Sequence, residues 1–331
     1  MRLGSPQMLR LLAALVAAAA LASPAAPSAA TGRLTFPRDH FGHPQSSIEW
    51  WYFTALAKDA SGTPYSVFFT LFASKGGFVP VSQVVNLATG AVVGHTEEVG
   101  LGKVGPSALD VKAGHARLRY TRPSNTWSFA VDTPAFAVSL VQRATKPYAL
   151  HGGGTGVIRQ SVAGPSRYYS ATRMTATGTL RAGGEQLALT GESWFDHQWG
   201  DYLDDPRAFD WDWFSCRFGD GTELMLYQFL DPATGQPAAG FRNGTFVAKN
   251  GRTTGVTSFD ITAGPRTLDA AGHSWPLDWT LNVPSFSLSE SLSAIVPDQL
   301  VRNTIIPTFW EGASTATGSR TGTCFVELSY P

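Results

Sequence analysis

The stretch GESWFDHQWGD, Gly191 to Asp201, gathers two tryptophans, a phenylalanine, three carboxylates and one of seven histidines in a chain whose charged residues amount to 15%. A carboxyl group held against indole and phenyl rings loses hydration, so its pKa rises and it can carry a proton at neutral pH. Such a group can protonate an alkene, and the electron-rich rings can stabilise the cation that forms. Asp196 and His197 are the candidates in this stretch. Glu49 in IEWWYF and Glu311 in FWEG are two more, each beside tryptophan. On an extended strand Glu49, Trp51 and Phe53 share one face, as do Trp194, Asp196 and Gln198. His197 projects from the other face, where it would lock the turn or relay a proton. The same residues also fit a structural role, with Asp196 binding backbone amides, His197 bridging strands, and Trp211 and Trp213 filling a seam.

The elements that must hold these side chains read as strands. IEWWYFTALA leads through KDASGT into YSVFFTLFAS, and WDWFSCRF leads through GDG into TELMLYQFL, two hairpin patterns with Gly or Pro in the connection. HARLRYT, WSFAVD, AFAVSLVQ, RYYSATR, LDWTLNV and CFVELSY add further strands, and no long stretch sustains a helical period. RNGT and KNGR supply Asn-Gly turn signals. The two hairpins resemble each other: Glu49-Trp50-Trp51-Tyr52-Phe53 aligns with Asp210-Trp211-Asp212-Trp213-Phe214. Their separation of about half the chain predicts a duplicated β unit. An N-terminal domain over 31–203 and a C-terminal domain over 204–331 follow, with the boundary in the polar GDYLDDPRAFD.

Arg2 and Arg10 followed by LLAALVAAAAL predict a secretory signal peptide over residues 1–30, cleaved after Ala22 or Ala30. The chain is thus expected to be secreted or periplasmic. Its apolar core is too short to span a bilayer as a helix. Removing the segment takes two arginines from a balance of 25 basic and 25 acidic residues, so no nucleic-acid or anionic-membrane partner is expected. The two cysteines fall in the first and last strands of the second half, which are neighbours in a closed barrel. Cys216 and Cys324 are either bridged or two separate buried thiols.

Three motifs mislead. GLGKVG matches a dinucleotide loop in letters, but Pro106 and a β-like segment follow it in place of a helix. HGGG at His151 looks like a lipase oxyanion loop, yet G-x-S-x-G is missing from the sequence. DHFGHP offers Asp39, His40 and His43, which could join Asp196 and His197 around a metal, but neither H-E-x-x-H nor paired cysteine spacing supports one. No metal or other cofactor is expected.

Four segments remain in order: EWWY at Glu49, WFDHQWG at Trp194, WDWF at Trp211 and FWEG at Phe309. This set resembles the secreted AttH-like and carotenoid 1,2-hydratase family of lipocalin-like proteins, over essentially the whole mature chain. The family usually begins its last motif with Tyr where this chain has Phe309. The hydratase branch carries a carboxylate on the strand after W-x-W, where this chain has Tyr227 and Gln228. The resemblance implies an all-β fold of two tandem lipocalin-like antiparallel β-barrels, or half-open sheets, packed side by side around an apolar site. It implies hydration, dehydration, isomerisation or cyclisation of an isoprenoid, polyene or fatty ligand. Asp196, His197, Glu49 and Glu311 would be catalytic, and Trp51, Phe53, Trp194, Trp199, Trp211, Trp213, Tyr227 and Trp310 would contact the ligand. A non-catalytic carrier of an apolar ligand and a metal-independent hydrolase are the alternatives.

Overall fold

The computed structural model describes residues 33–159, 164–201, 210–269 and 271–329. The expected signal peptide and the boundary between residues 203 and 204 lie outside them. Two antiparallel sheets, each curled into a half-barrel, hold nearly all the regular structure.

In the first sheet the strand Ile48–Lys58 lies between its hairpin partner Pro64–Ser74 and the strand Glu185–Gly200, which is followed by Pro165–Ala182. In the second sheet Asp210–Phe218 lies between Glu223–Leu230 and Gly322–Leu328, which is followed by Phe309–Gly318. Each half therefore places its first strand between its second and its last, as a duplicated unit would. Cys216 stands directly across from Cys324 in this register, and the two form a disulfide. Among the described residues both sheets end in strands paired on one side only, Val92–Glu97 and Asp110–Ala113 in the first, Thr253–Val256 and Asp260–Ala263 in the second. The half-open form is thus the one adopted. The first and last strands of the second half meet in the middle of an open sheet instead of closing a barrel.

Side-chain alternation then separates three cores. Trp51, Phe53, Phe69, Trp127, Phe129 and Phe195 fill the hollow of the first sheet, while Phe214, Trp279, Trp310 and Val326 fill that of the second. Between the sheets lie Tyr52, Phe68, Trp194, Trp213, Tyr227 and Phe309. The strand Ile48–Lys58 is buried on both faces, which explains why IEWWYFTALA is continuously apolar and aromatic instead of alternating with polar residues. Each large side chain so buried contributes about 1.5 to 3 kcal/mol.

Two polar clasps fasten one half to the other. Glu97 accepts backbone N–H groups from Thr304, Ile305 and Ile306 at 2.6, 2.9 and 2.6 Å. Glu223, fully buried, pairs with Lys146 at 2.7 Å and with Arg173 at 2.8 Å, and Lys146 also donates to the carbonyls of Gly221 and Ala248. Breaking a buried pair by removing one partner leaves charge uncompensated. Glu223→Ala is expected to cost about 3 kcal/mol, read as a lower midpoint in chemical denaturation; an unchanged midpoint would deny the clasp its role.

Candidate functional site

Antiparallel register brings Tyr52 opposite Asp196 on the face that looks toward the second sheet. Asp196 is 3% exposed. It accepts from Tyr168 Oη and Trp194 Nε1, each at 2.6 Å, and from Ser170 Oγ. Burial outweighs these three donors and pushes the Asp196 carboxyl up to about 7, with the charge of Glu327 adding to the rise. Ser170 also meets His151 Nε2 at 2.6 Å, and His151 Nδ1 meets Thr245 of the second half at 2.8 Å. Burial lowers His151 to about 3, so its ring is neutral at physiological pH and can pass hydrogen bonds in either direction.

From the opposing sheet comes a second acid group. Glu311 stands directly across from Glu327; Glu311 is buried and Glu327 half-buried. Glu311 Oε1 accepts from Tyr52 at 2.7 Å, and Glu327 Oε1 accepts from Trp211 Nε1 at 2.6 Å. Among the described residues no N–H or O–H donor reaches Glu311 Oε2. Two carboxyls so close can share one proton. Burial and then the neighbouring Glu327 carry Glu311 well above the usual carboxylate range, and burial raises Glu327 too. The rings of Trp194 and Trp213 meet edge to face at 6.3 Å, and Trp213 Nε1 donates to Tyr168 at 3.1 Å. The half-buried Trp50 and Trp211 mark where this seam approaches solvent.

A different cluster occupies the other face of the same strands, inside the first half-barrel. Glu49 Oε1 lies 2.8 Å from His197 Nε2 and 2.6 Å from His43 Nδ1, and Oε2 accepts the His43 backbone N–H at 2.8 Å. His43 stacks on Trp199 with centroids 3.7 Å apart, and Trp51 stacks on His197 at 4.6 Å. Burial would raise Glu49, but its bonds to His197 and His43 outweigh that and hold it below the ordinary value.

The sequence names Asp196, His197, Glu49 and Glu311 together as candidates, and the structure places them on two faces. Asp196 and Glu311 face the seam between the sheets, whereas Glu49 and His197 face the first hollow. Adjacent residues of a strand point to opposite faces, so Asp196 and His197 cannot serve one pocket. Of the aromatic candidates, Trp194, Trp213 and Tyr227 belong to the seam, and Trp211 reaches it through Glu327. Trp51, Phe53 and Trp199 belong to the first hollow. Trp310 belongs to the core of the second sheet, where Nε1 donates to the Pro297 carbonyl at 3.2 Å. The metal group that the sequence offered and that was set aside is composed differently in the structure: His43 and His197 are joined by Glu49, while Asp196 lies across the sheet from them.

Sequence reasoning missed Glu327, Tyr52, Tyr168, Ser170 and His151. Glu327 was findable from the repeat. Tyr52 and Trp213 hold equivalent places in the two hairpins, and the residues across from them are Asp196 and Glu327. His151 was seen in HGGG and set aside with the lipase loop. Its glycines make a tight turn with φ of 64° at Gly152 and 70° at Gly153. A Cβ on Gly152 would lie 1.8 Å from the Val157 carbonyl oxygen, so only glycine closes the turn that seats His151 against Ser170.

The sequence model of the AttH-like family matches residues 27–330. Among solved structures the chain is similar to a candidate AttH of Nitrosomonas europaea, with a TM-score of 0.82 at 22% identity, covering 92% of this chain and 99% of that one. It is also similar to kievitone hydratase of Nectria haematococca, with a TM-score of 0.72 at 19% identity, covering 93% and 96%. Similarity extends to CghA bound to Sch210972, with a TM-score of 0.56 at 12% identity, covering 94% and 96%. No curated protein matches the chain by sequence.

Proposed function

The chain belongs to the AttH-like family, and from that premise we propose that it is an exported acid-base catalyst that adds water to, or removes it from, a carbon–carbon double bond of an apolar small molecule. The observation that carries this reading is the set of three neighbouring carboxyls, the buried Asp196 and Glu311 and the half-buried Glu327, the first two protonated or half-protonated at neutral pH and all edged by indole and phenol rings. In the hydration direction Asp196 gives its proton to the alkene carbon, and the rings of Trp194 and Trp213 stabilise the resulting cation. Water adds to the cation, and the carboxylate left on Asp196 accepts the proton that this water releases, so that one water molecule is consumed and the acid is restored. The Ser170–His151–Thr245 chain offers a route for exchanging that proton. Kievitone hydratase, whose fold this chain shares, is by its name a hydratase. Export is supported by the leader-like N-terminus and by the Cys216–Cys324 bridge, which suits an oxidising compartment.

The test uses the purified protein, its own solvent-extractable ligand and a panel of isoprenoid and polyene alkenes in water labelled with heavy oxygen. Label is expected in the product, or lost from it in the reverse direction. A ligand that binds and returns unlabelled over the whole pH range would leave a carrier instead of a catalyst, and a polar saccharide or peptide as the bound molecule would sink both.

A further inference from the structure

The cluster inside the first half-barrel is separate from the seam and has no part in the chemistry proposed there. His43, Glu49 and His197 each offer one ligand atom, and these atoms lie within 4.8 Å of one another. A zinc ion with bonds of about 2.0 to 2.1 Å holds tetrahedral donors roughly 3.4 Å apart, a spacing between the 2.6 and 2.8 Å from Glu49 Oε1 to the two imidazoles and the 4.8 Å that bounds the group.

The outward nitrogens decide what the inward ones can be. His197 Nδ1 lies 3.0 Å from the backbone carbonyl of Asp39, which can only accept, so Nδ1 carries the proton. Tyr169 Oη stands 3.1 Å from the same nitrogen and 2.7 Å from His40 Nδ1, so its own proton is free to go to His40. That leaves a lone pair on His197 Nε2 of the neutral ring, aimed at Glu49 Oε1, itself an acceptor, at 2.8 Å. Glu49 Oε1 meets a second imidazole nitrogen, His43 Nδ1, at 2.6 Å. The far nitrogen of His43, Nε2, lies 3.3 Å from Asp39 Oδ1 and 3.4 Å from the half-exposed Arg38 guanidinium. Lone pairs so converging must be separated by protons or by a cation. An imidazole whose other N–H is anchored to a carbonyl is the usual arrangement of a metal-ligating histidine, because the anchor fixes tautomer and ring orientation. Stacking on Trp199 and Trp51 further holds the two rings in place.

We propose that His43, Glu49 and His197 form a three-ligand site for a divalent transition ion of the zinc class. Two imidazoles and one carboxylate suit Zn²⁺ and its first-row neighbours better than Mg²⁺, which prefers an all-oxygen shell.

The test titrates chelator-stripped protein with Zn²⁺ alone, followed by calorimetry and by the thermal midpoint. One equivalent is expected to bind and to raise the midpoint, while Mg²⁺ at the same concentration does neither. Glu49→Gln keeps nearly the same shape and is expected to weaken Zn²⁺ binding at least about a hundredfold. His43→Ala, at a half-buried position, serves as the second variant in case the first perturbs folding, with near-ultraviolet circular dichroism as the check. His115→Ala is the control, because the exposed His115–Glu98 pair is a rival surface site, and it should leave the affinity unchanged. The proposal is overturned by the absence of saturable binding, by binding that survives both Glu49→Gln and His43→Ala, or by binding that disappears with His115.

Discussion

Asp196→Asn is expected to yield a folded protein whose turnover is lowered about a hundred to ten thousand fold, the usual cost of losing a general acid. The amide oxygen can still accept from Trp194 and Ser170, and Tyr168 can rotate its hydroxyl toward a neighbour, so the local geometry survives. Stability should move in an informative direction. The folded Asp196 binds its proton up to about 7, whereas the unfolded group releases it near 3.8, so the native state holds more protons between those values. The stability tied to that proton is complete below pH 3.8 and is lost as pH rises through about 7. Asn carries no such dependence. The variant should therefore gain on the parent from pH 4 to pH 8, by up to about 4 kcal/mol at roughly 1.4 kcal/mol per tenfold. Denaturation curves at several pH values, run beside product assays, separate the two roles. A variant that is fully active but less stable at every pH would show that Asp196 serves only the fold. His197→Gln should have a smaller effect on turnover than Asp196→Asn, since its ring lies across the sheet from the seam.

Removing the Cys216–Cys324 bridge has the largest expected effect on stability. The cysteines are separated by 108 positions along the chain. A crosslink closing a loop of that size restricts the unfolded chain by about 4 to 5 kcal/mol in the chain-entropy account. Both sulfurs lie in the apolar interior of the second sheet, so Cys216→Ala with Cys324→Ala leaves no buried polar group behind. The double variant should unfold at much lower denaturant concentration, with retained strand signal in water. The parent protein should show no titratable thiol after denaturation without reductant. Two thiols in that assay would overturn the bridge.

The all-β class and the two hairpins were legible because they depend on local pattern. Aromatic strands separated by Gly, Pro and Asn-Gly turns specify hairpins, and the likeness of Glu49–Phe53 to Asp210–Phe214 marks two halves before any coordinate is known. The opposition of Asp196 and His197 across one strand was legible for the same reason, since a period of two is a property of the backbone. Cysteine placement narrowed the bridge to two outcomes. It could not choose between them, because neighbouring strands alone do not put two sulfurs at the same register.

What only the tertiary structure decided is which faces meet. The strand Ile48–Lys58 is buried on both sides, so hydrophobicity gave no sign of which side turned to the first hollow and which to the second sheet. The four candidates Asp196, His197, Glu49 and Glu311 therefore divide between two faces that the sequence could not assign. His151, Ser170 and Thr245 come from sequence positions up to 94 residues apart, and Glu311 reaches Tyr52 across 259. Composition and motifs determined that this chain is a doubled β protein with carboxylates among aromatic rings. Packing of one curled sheet against the other determined which carboxylates lose their water together, and hydration, unlike strand pattern, is set by every neighbour in space.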